Sequence, residues 1–571
     1  MYPEIIKGNR EISTPLEREP LHLWQGLKPR SNFLTGFTYP SFHIFILVAL
    51  CSIIFLVNLG GWDLWGPDEP RYAQVAKEMM ESGNWAVPHL NSKVYPDKPP
   101  VFFWLITLSS IVKGEVTSFT ARFPSAIAAV LGIFLTYLLG SKLYNLRAGF
   151  ISALVLATTV EYFWLGHRAN IDMTLTLFIL SALLFFYQGY QKPRKRYYYF
   201  FYLSMALATL TKGPVGFILP SLTVIFYLSL RKDFNVLKKV FFNWGVLLFW
   251  VVILAWLIPA CMQGGKSYSD EILFNQILGR VYNSWSHKAP FYYYFLRLPP
   301  IMLPWFFFLP SAFIYFFIRR KKIEADYLFP TVWFTTIFVF FTLCSGKREL
   351  YMLPLFPAFA LMVGFLWNKF FEQNEDMWGK RLTTLPLYLL LGLLLAACLC
   401  VPFIPKSIGY EYRQGFHFYP VALILGLSTI FAFFFLLKKR TAFSFSLIIM
   451  MMAGSFLYTV DYVFPYLNQY KSAKPFSLRI KTQMKEGDLL GAYRVKTPAF
   501  NFYTGIKEIE QLETTSELIN FFFQSKSRAF CLMKKKDLKE LSPIMPFHLF
   551  RLDGGRIGGD EIILISNCER R

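Results

Sequence analysis

Apolar residues recur along this chain in runs of about 20 positions, separated by shorter polar stretches. A run of that length crosses the hydrocarbon core of a bilayer as one α-helix. The pattern therefore predicts thirteen membrane-spanning helices. The predicted spans are 41–60, 124–140, 149–166, 171–190, 197–210, 214–230, 241–260, 297–318, 327–343, 351–367, 383–402, 418–437 and 442–458.

The composition supports this interpretation. Of the 571 residues, 54% are hydrophobic, 19% are aromatic and only 17% are charged. Soluble domains rarely have so much apolar and so little charged sequence, and disordered chains are poor in the residues that are abundant here. The predicted fold class is an all-α polytopic membrane protein.

The net charge of +23 would suit a nucleic-acid-binding protein, but the positions of the charges argue against that class. Basic residues form short clusters between apolar runs, for example at 192–196, 319–322 and 438–440. If the chain begins in the cytoplasm, every strong cluster between spans falls in a cytoplasmic loop, as the positive-inside rule requires. We therefore expect membrane lipid, and no nucleic acid, as a partner.

The same topology predicts three domains or segments. Residues 1–40 form a cytoplasmic N-terminal segment, residues 41–458 form the transmembrane domain, and residues 459–571 lie outside the cytoplasm. The transmembrane domain contains a first outward loop at 61–123 and a second at 261–296. On this topology a set of polar residues gathers on the outward side, so we expect the chemistry there.

The C-terminal segment has the pattern of a small α/β domain. Strands are predicted at 487–493, 528–533 and 560–566, and helices at 515–523 and 535–541. The segment also contains Cys531 and Cys568, which are either a disulfide of an oxidising compartment or two free thiols.

The first outward loop predicts a short amphipathic helix. Asp68 or Glu69 suits the N-cap, Pro70 the first helical position and Gly83 the C-terminal stop. The apolar run 99–112 is too short for a confident span, and we expect it to be interfacial or re-entrant.

Charged residues near membrane depth are costly and are candidates for function. The outward set comprises Asp68, Glu69, Asp97, Lys98, His167, Arg168, Asp172, Lys212, Arg280, Lys347 and Arg348. Bases of this kind hold a phosphate, and an acid takes a proton or binds a metal ion. Purely structural roles are the alternatives: a helix cap for Asp68, an interfacial lysine at Lys98 and a hairpin cap at Lys212.

The ordered combination of motifs resembles the GT-C glycosyltransferases that use polyprenyl-phosphate sugars. It is most similar to the bacterial branch that contains the aminoarabinose transferase of lipid A and relatives of the protein O-mannosyltransferases. The matching stretches are Asp68-Glu69-Pro70-Arg71-Tyr72-Ala73, Tyr95-Pro96-Asp97-Lys98-Pro99-Pro100, Arg122-Phe123-Pro124-Ser125, Asp172-Met173-Thr174-Leu175, Thr211-Lys212-Gly213-Pro214, His287-Lys288-Ala289-Pro290 and Ser345-Gly346-Lys347.

The resemblance implies a role for each matching residue. The implied catalytic residues are Asp68, Glu69 and Asp172, and the implied ligands of the donor phosphate are Arg71, Lys98, Arg280 and Lys347. Asp97 stands where the aminoarabinose transferase has a metal-binding glutamate, but Asn275 stands where that enzyme has a histidine ligand. An Asp/Asn pair supplies harder ligands than a Glu/His pair and forms a weaker metal site. A divalent cation is therefore the only cofactor to consider, and a zinc site is doubtful.

The function that the resemblance implies is transfer of one sugar, with inversion, from an undecaprenyl phosphate donor to an extracytoplasmic acceptor. The implied acceptor is lipid A or lipopolysaccharide, the sugar is of the 4-amino-4-deoxy-L-arabinose type, and the active site faces the periplasm from the bacterial inner membrane. The alternatives are glycosylation of protein or of another surface polysaccharide. A transporter of lipid-linked saccharides is the alternative of another class, but the inverted repeats that it predicts are not visible.

Overall fold

The computed structural model describes residues 39–272, 288–319, 325–372, 377–400, 418–525 and 528–568. The predicted cytoplasmic segment at 1–40 lies almost wholly outside these residues. Helices make up most of the described chain. Up to residue 272 they are α1 Pro40–Cys51, α2 Asp68–Ser82, α3 Val101–Ile111, α4 Ser118–Leu143, α5 Leu146–Ala157, α6 Val160–Gly166, α7 Ile171–Gln191, α8 Lys195–Lys212, α9 Val215–Arg231, α10 Phe234–Phe241 and α11 Gly245–Asp270.

The second half of the chain contains twelve more described helices. They are α12 Tyr293–Ile301, α13 Phe308–Arg319, α14 Ala325–Leu343, α15 Phe356–Phe371, α16 Met377–Cys400, α17 Phe418–Leu437, α18 Thr441–Tyr458, α19 Phe464–Lys471, α20 Lys474–Gln483, α21 Pro498–Thr504, α22 Thr515–Gln524 and α23 Lys535–Leu541. A 3-10 segment at Glu349–Leu355 leads into α15.

The chain is a multi-pass membrane protein. By length and composition, seven described helices could cross a membrane, or eight if the bent pair Leu146–Ala157 and Val160–Gly166 is one span broken by 67°. Five shorter apolar helices accompany them in the described part. Helix is present within all thirteen predicted spans. The number that actually crosses the bilayer stays a prediction.

Side-chain caps fix where two of these helices begin. Thr117 and Thr120 form a reciprocal capping box at the start of α4. The Asn170 side chain accepts the backbone N–H of Asp172 at 2.8 Å and so starts α7. Each cap satisfies N–H groups that have no partner within the helix, and the cap at Asn170 also sets the position of Asp172.

The helix predicted in the first outward loop is present as α2. Its C-terminal stop is confirmed, because Gly83 caps it in the left-handed conformation at φ 69°. Its start differs from the prediction: the helix begins at Asp68 after Pro67, and no side chain caps it. The carboxylates of Asp68 and Glu69 are bound to guanidinium groups instead.

The run at 99–112 forms α3, which packs against α2 and α4 through the fully buried Phe102 and Phe103. The end of α11 differs from the prediction, because the helix continues past the predicted loop start at 261 as far as Asp270. A non-helical kink at Gly265 interrupts it, with φ 73°.

The C-terminal segment contains the small α/β unit that the sequence predicts. Its five-stranded sheet has the order β4-β3-β5-β7-β6, numbered after a two-stranded ribbon of β1 and β2 in the first loop. The strands are β1 His89–Leu90, β2 Lys93–Val94, β3 Leu489–Tyr493, β4 Glu510–Leu512, β5 Ala529–Lys534, β6 Phe550–Ile557 and β7 Asp560–Ser566. Strand β3 is parallel to β4 and β5, and β7 is antiparallel to β5 and β6. Cys531 and Cys568 are free thiols, so they form no disulfide.

The C-terminal unit is bound to the first outward loop by specific hydrogen bonds. Asn91, buried after β1, exchanges hydrogen bonds with the backbone of Ile509 at 2.7 and 2.8 Å and accepts one from Asn501 at 2.7 Å. The Tyr503 hydroxyl accepts the N–H of Leu64 at 2.7 Å. The C-terminal unit therefore supports the segments on both sides of α2.

Candidate active site

Asp68 lies in the first turn of α2 and is paired with two arginines. Its carboxylate binds Arg71, one turn further along the helix, and Arg348 at 2.9 Å, which precedes the 3-10 segment. Burial raises the pKa of Asp68, but Arg348 and Arg71 lower it more, so the pKa lies below its ordinary value. The carboxylate is therefore ionised at neutral pH. The two guanidinium groups remain partly exposed, so this side of the turn is open to a ligand.

Glu69 is the next residue, and its environment is closed. Its carboxylate binds Arg122 at 2.8 Å, and both side chains are buried almost completely. It also accepts the backbone N–H groups of Trp65 at 2.9 Å and Ala169 at 3.0 Å. Arg168 lies 3.4 Å away. Burial raises the pKa of Glu69, but Arg122 and Arg168 outweigh burial and lower it.

Arg122 extends this closed network into the loop before α2. It donates to the carbonyl oxygens of Trp62 at 2.8 Å, Leu59 at 3.2 Å and Asp63 at 2.7 Å, and it lies over the Trp62 ring. One guanidinium from α4 thus fixes the loop backbone and Glu69 together. This network holds α2 in place, and it leaves Glu69 no exposed oxygen for substrate.

Asp172 and Lys212 form a second acid-base pair. Asp172 lies in the first turn of α7 and is 2% exposed, and its carboxylate binds the Lys212 ammonium at the end of α8. Lys212 also lies 4.2 Å from the ring centre of Tyr351, in the 3-10 segment that follows Arg348. Asp172 is within electrostatic range of Asp68 and Arg348. The two pairs therefore belong to one site.

The predicted phosphate ligands that the structure describes lie around these pairs. Lys347 is 5% exposed, and its ammonium donates to the carbonyl of Cys344. Lys98 is half-buried and donates to the backbone oxygen of its neighbour Asp97 at 3.0 Å. Asp97 is within electrostatic range of Arg71. The Arg71 Nε is buried and has no hydrogen-bond partner among the described residues.

The end of the second outward loop lies beside Lys347 in this site. Lys288 forms an antiparallel bridge with Gly346, and the N–H of Ala289 donates to the carbonyl of Ser345 at 3.3 Å. Two motifs nearly 60 residues apart in the chain are thereby joined beside Lys347. Arg280 and Asn275, which belong to this loop, lie outside the described residues.

A metal ion has little support in this arrangement. The described residues contain no group of three His, Cys, Asp or Glu side chains that could hold one. Asp97, the expected ligand, lies beside the cations of Lys98 and Arg71. Cations at this position compete with a metal for the carboxylate. We therefore derive no step through a metal ion.

Three comparisons with known proteins found similar chains. Residues 97–258 match the family described as dolichyl-phosphate-mannose-protein mannosyltransferase. An uncharacterized protein of Aquifex aeolicus is 27% identical over 444 residues, 76% of this chain and 82% of that protein. The undecaprenyl phosphate-alpha-4-amino-4-deoxy-L-arabinose arabinosyl transferase 2 of Proteus mirabilis is 28% identical over 326 residues. That match covers 56% of this chain and 58% of the relative, less than two thirds of its length.

A solved structure provides the fold. ArnT from Cupriavidus metallidurans, bound to undecaprenyl phosphate, superposes with a TM-score of 0.76 over 93% of this chain and 99% of that chain, at 19% identity. The chain has an ArnT-like fold. The resemblance stated from the sequence motifs is confirmed.

Within this ArnT-like fold, two residues matter more than the sequence suggested. Arg348 belongs to the outward set, but only the structure shows that it binds Asp68 across 280 positions of the chain. Glu161 is not in the predicted outward set, although a carboxylate inside the apolar run 149–166 is the signal that marks a functional candidate. His167 is buried, and its Nδ1 is hydrogen-bonded to the carbonyl of Phe163 at 3.0 Å.

Proposed function

We propose that this chain is an integral inner-membrane glycosyltransferase that moves one sugar from a polyprenyl phosphate donor to an extracytoplasmic acceptor. The supporting relatives are named as arabinosyl transferases that use undecaprenyl phosphate-linked 4-amino-4-deoxy-L-arabinose. The ArnT-like fold agrees with that activity. The proposed acceptor is lipid A, and the proposed outcome at the anomeric carbon is inversion.

The observation that carries this proposal is a carboxylate held between two guanidinium groups, with a buried ammonium next to it. Asp68 lies between Arg71 and Arg348, and Lys347 is adjacent to Arg348. The buried ammonium of Lys347 and the Arg71 Nε, unpaired among the described residues, suit the phosphate that leaves when the glycosidic bond breaks. We assign Lys347, Lys98 and Arg71 to that phosphate, and we extend the assignment to Arg280 by the resemblance alone.

The lowered pKa of Asp68 favours one mechanism over another. A carboxylate that two arginines keep ionised is a weak general base. A phosphate acceptor such as that of lipid A needs no base, because it is already anionic. Asp68 then stabilises the positive charge that develops on the sugar or orients the acceptor, and Asp172 acts near the sugar in the same way. Glu69 is placed in the proposed mechanism as a positioning residue, because its oxygens are occupied within the protein.

The remaining topological predictions belong to this proposal. We propose thirteen spans, with the catalytic loop 61–123, the second loop 261–296 and the unit within 459–571 all on the periplasmic side. The supporting observation is that the C-terminal unit binds the first loop through Asn91 and Tyr503. Both segments must then lie on one side of the membrane.

A protein acceptor is the second candidate. Residues 97–258 match a family described as protein mannosyltransferases, which supports the same chemistry on a different acceptor. Mass spectrometry of lipid A from cells with and without the gene distinguishes the two. Lipid A from cells with the gene is expected to carry the added mass of an aminopentose. An unchanged lipid A mass would favour a protein or polysaccharide acceptor instead.

The direct test follows labelled sugar in membrane vesicles. The wild type is expected to transfer it from undecaprenyl phosphate to lipid A, and Asp68→Asn to lose about 100-fold or more of that rate. Glu81→Gln is the matched control, because Glu81 is an exposed acid on the same helix. Near wild-type turnover by a correctly inserted Asp68→Asn protein would contradict the assignment.

A further inference from the structure

Glu161 is a buried carboxylate that the proposed mechanism does not use. It lies in α6, the short second half of the bent helix pair, and is 9% exposed. No hydrogen bond or ion pair binds its carboxylate within the described part of the chain. Burial removes most of the water around this carboxylate, and no group of the described residues replaces that water with a hydrogen bond. Such a group favours a ligand or a neighbouring charge that the described residues do not supply.

The geometry of α6 directs Glu161 towards the site. Glu161 and Trp164 lie three positions apart on one face of α6, and Arg168 follows two residues after the helix ends. Trp164 packs against Trp65 with ring centres 6.4 Å apart, and Arg168 donates to the Trp65 carbonyl at 3.0 Å. This face therefore fronts the loop that carries Asp68 and Glu69.

Hydrogen bonds on other sides of α6 keep that face in position. The N–H of Val160 donates to the carbonyl of Leu303 at 2.9 Å, and the Tyr162 hydroxyl donates to the carbonyl of Ala129 at 2.9 Å. Phe163 stacks on Phe456 with ring centres 3.9 Å apart. Rotation of α6 to bring Glu161 to a different partner would break all three contacts.

The charges around Glu161 leave it without a cation of its own. Each of the other carboxylates near the site has a basic partner: Asp68 with Arg71 and Arg348, Glu69 with Arg122, Asp172 with Lys212 and Glu349 with Arg297. The charges in electrostatic range of Glu161 are Glu349, Arg168 and Asp172, and Arg168 is already engaged by Glu69. Among the described residues, the surroundings of Glu161 thus lack one positive charge.

We propose that Glu161 binds the ammonium group of an amino sugar in the donor. This inference rests on the proposed function, in which the bases around Arg71 and Lys347 hold the phosphate at the other end of the same glycosyl unit. A charge-assisted hydrogen bond from the ammonium to Glu161 orients the sugar and selects an amino sugar over a neutral one. A carboxylate is the complement of that group, whereas a neutral sugar would leave Glu161 buried and unpaired.

Donor binding to the purified full-length protein in lipid nanodiscs tests this subsite. The probes are undecaprenyl phosphate, its 4-amino-4-deoxy-arabinose ester and the N-formylated ester, in which the amine carries no charge. The wild type is expected to bind the amino donor about 10- to 100-fold more tightly than the N-formyl donor. Glu161→Gln is expected to lose that preference while its affinity for undecaprenyl phosphate stays unchanged.

Two controls make the result decisive. Glu115→Gln removes an exposed acid of the first loop and is expected to keep the wild-type preference. The thermal midpoint of Glu161→Gln is expected to equal or exceed that of the wild type, because no internal partner is lost. If Glu161→Gln retains the preference while the wild type transfers sugar, the subsite is wrong and the proposed function stands. If the wild type binds no polyprenyl phosphate probe, the proposed function itself is wrong.

Discussion

Asp68 and Glu69 are neighbours in the chain but lie in two different environments. Asp68 is held by two guanidinium groups that are 26% and 30% exposed, so its side of α2 is accessible. Glu69 and Arg122 are 1% and 0% exposed, and backbone N–H groups occupy the remaining oxygen positions. We propose that the two acids of this motif divide their work. Asp68 lies on the accessible side, where substrate would bind, and Glu69 fixes the loop that carries it.

The largest expected effect comes from breaking the buried ion pair of Glu69 and Arg122. Glu69→Gln leaves the buried Arg122 without its counter-charge, and removing one partner of such a pair costs about 3–5 kcal/mol. We expect a large drop in the thermal midpoint of the purified protein in detergent. An unchanged midpoint would show that this network does not hold the loop.

The next largest effect is expected where the C-terminal unit is hydrogen-bonded to the first outward loop through Asn91. Asn91→Ala removes the hydrogen bonds to Ile509 and Asn501 and leaves buried groups unpaired, at a cost of about 1–3 kcal/mol. We expect lower stability, with donor affinity changed much less. A loss of donor affinity at full stability would instead place Asn91 in the binding site. Ser92→Ala, at the exposed neighbouring position, is the control.

Much of the site follows from residue type and chain order. Costly charges near the ends of apolar runs identify Asp68, Asp172, Lys212 and Lys347, and the predicted alternation of spans places them on one side. The sequence cannot show that Arg348 binds Asp68, because that pairing depends on how helices far apart in the chain pack. It also cannot separate the roles of Asp68 and Glu69, since burial alone distinguishes them.

The fold, like the site, can be predicted only in part from the sequence. Long apolar runs predict membrane helices well, and alternating patterns predict β3, β5 and β7. Strand β4 has only three residues, and β6 contains Gly554 and Gly555, so both escape pattern recognition. The predicted cap at Asp68 is wrong because ion pairing with Arg71 and Arg348 competes for the same carboxylate.

A smaller effect is expected at Lys347, in the proposed phosphate site. Lys347→Met keeps the length of the side chain but removes the buried ammonium, so the donor phosphate loses one charged contact. We expect KM for the donor to rise about tenfold, with a smaller change in kcat. Lys113→Met, at an exposed lysine of the first loop, is the control. Unchanged donor kinetics would remove Lys347 from the phosphate site.

The smallest effect is expected at the far end of α2. Glu81 is exposed and one residue from the helix end, so Glu81→Gln is expected to change stability by about 0.5 kcal/mol or less and to leave turnover unchanged. A large effect on turnover would mean that the whole helix, rather than its first turn, contacts substrate.

The proposed division of work between Asp68 and Glu69 is tested most directly by measuring turnover and thermal midpoint on the same preparations of Asp68→Asn and Glu69→Gln. We predict that Asp68→Asn loses turnover while largely keeping its thermal midpoint, and that Glu69→Gln loses the midpoint. A stable, fully folded Glu69→Gln protein without turnover, together with an active Asp68→Asn protein, would contradict the account.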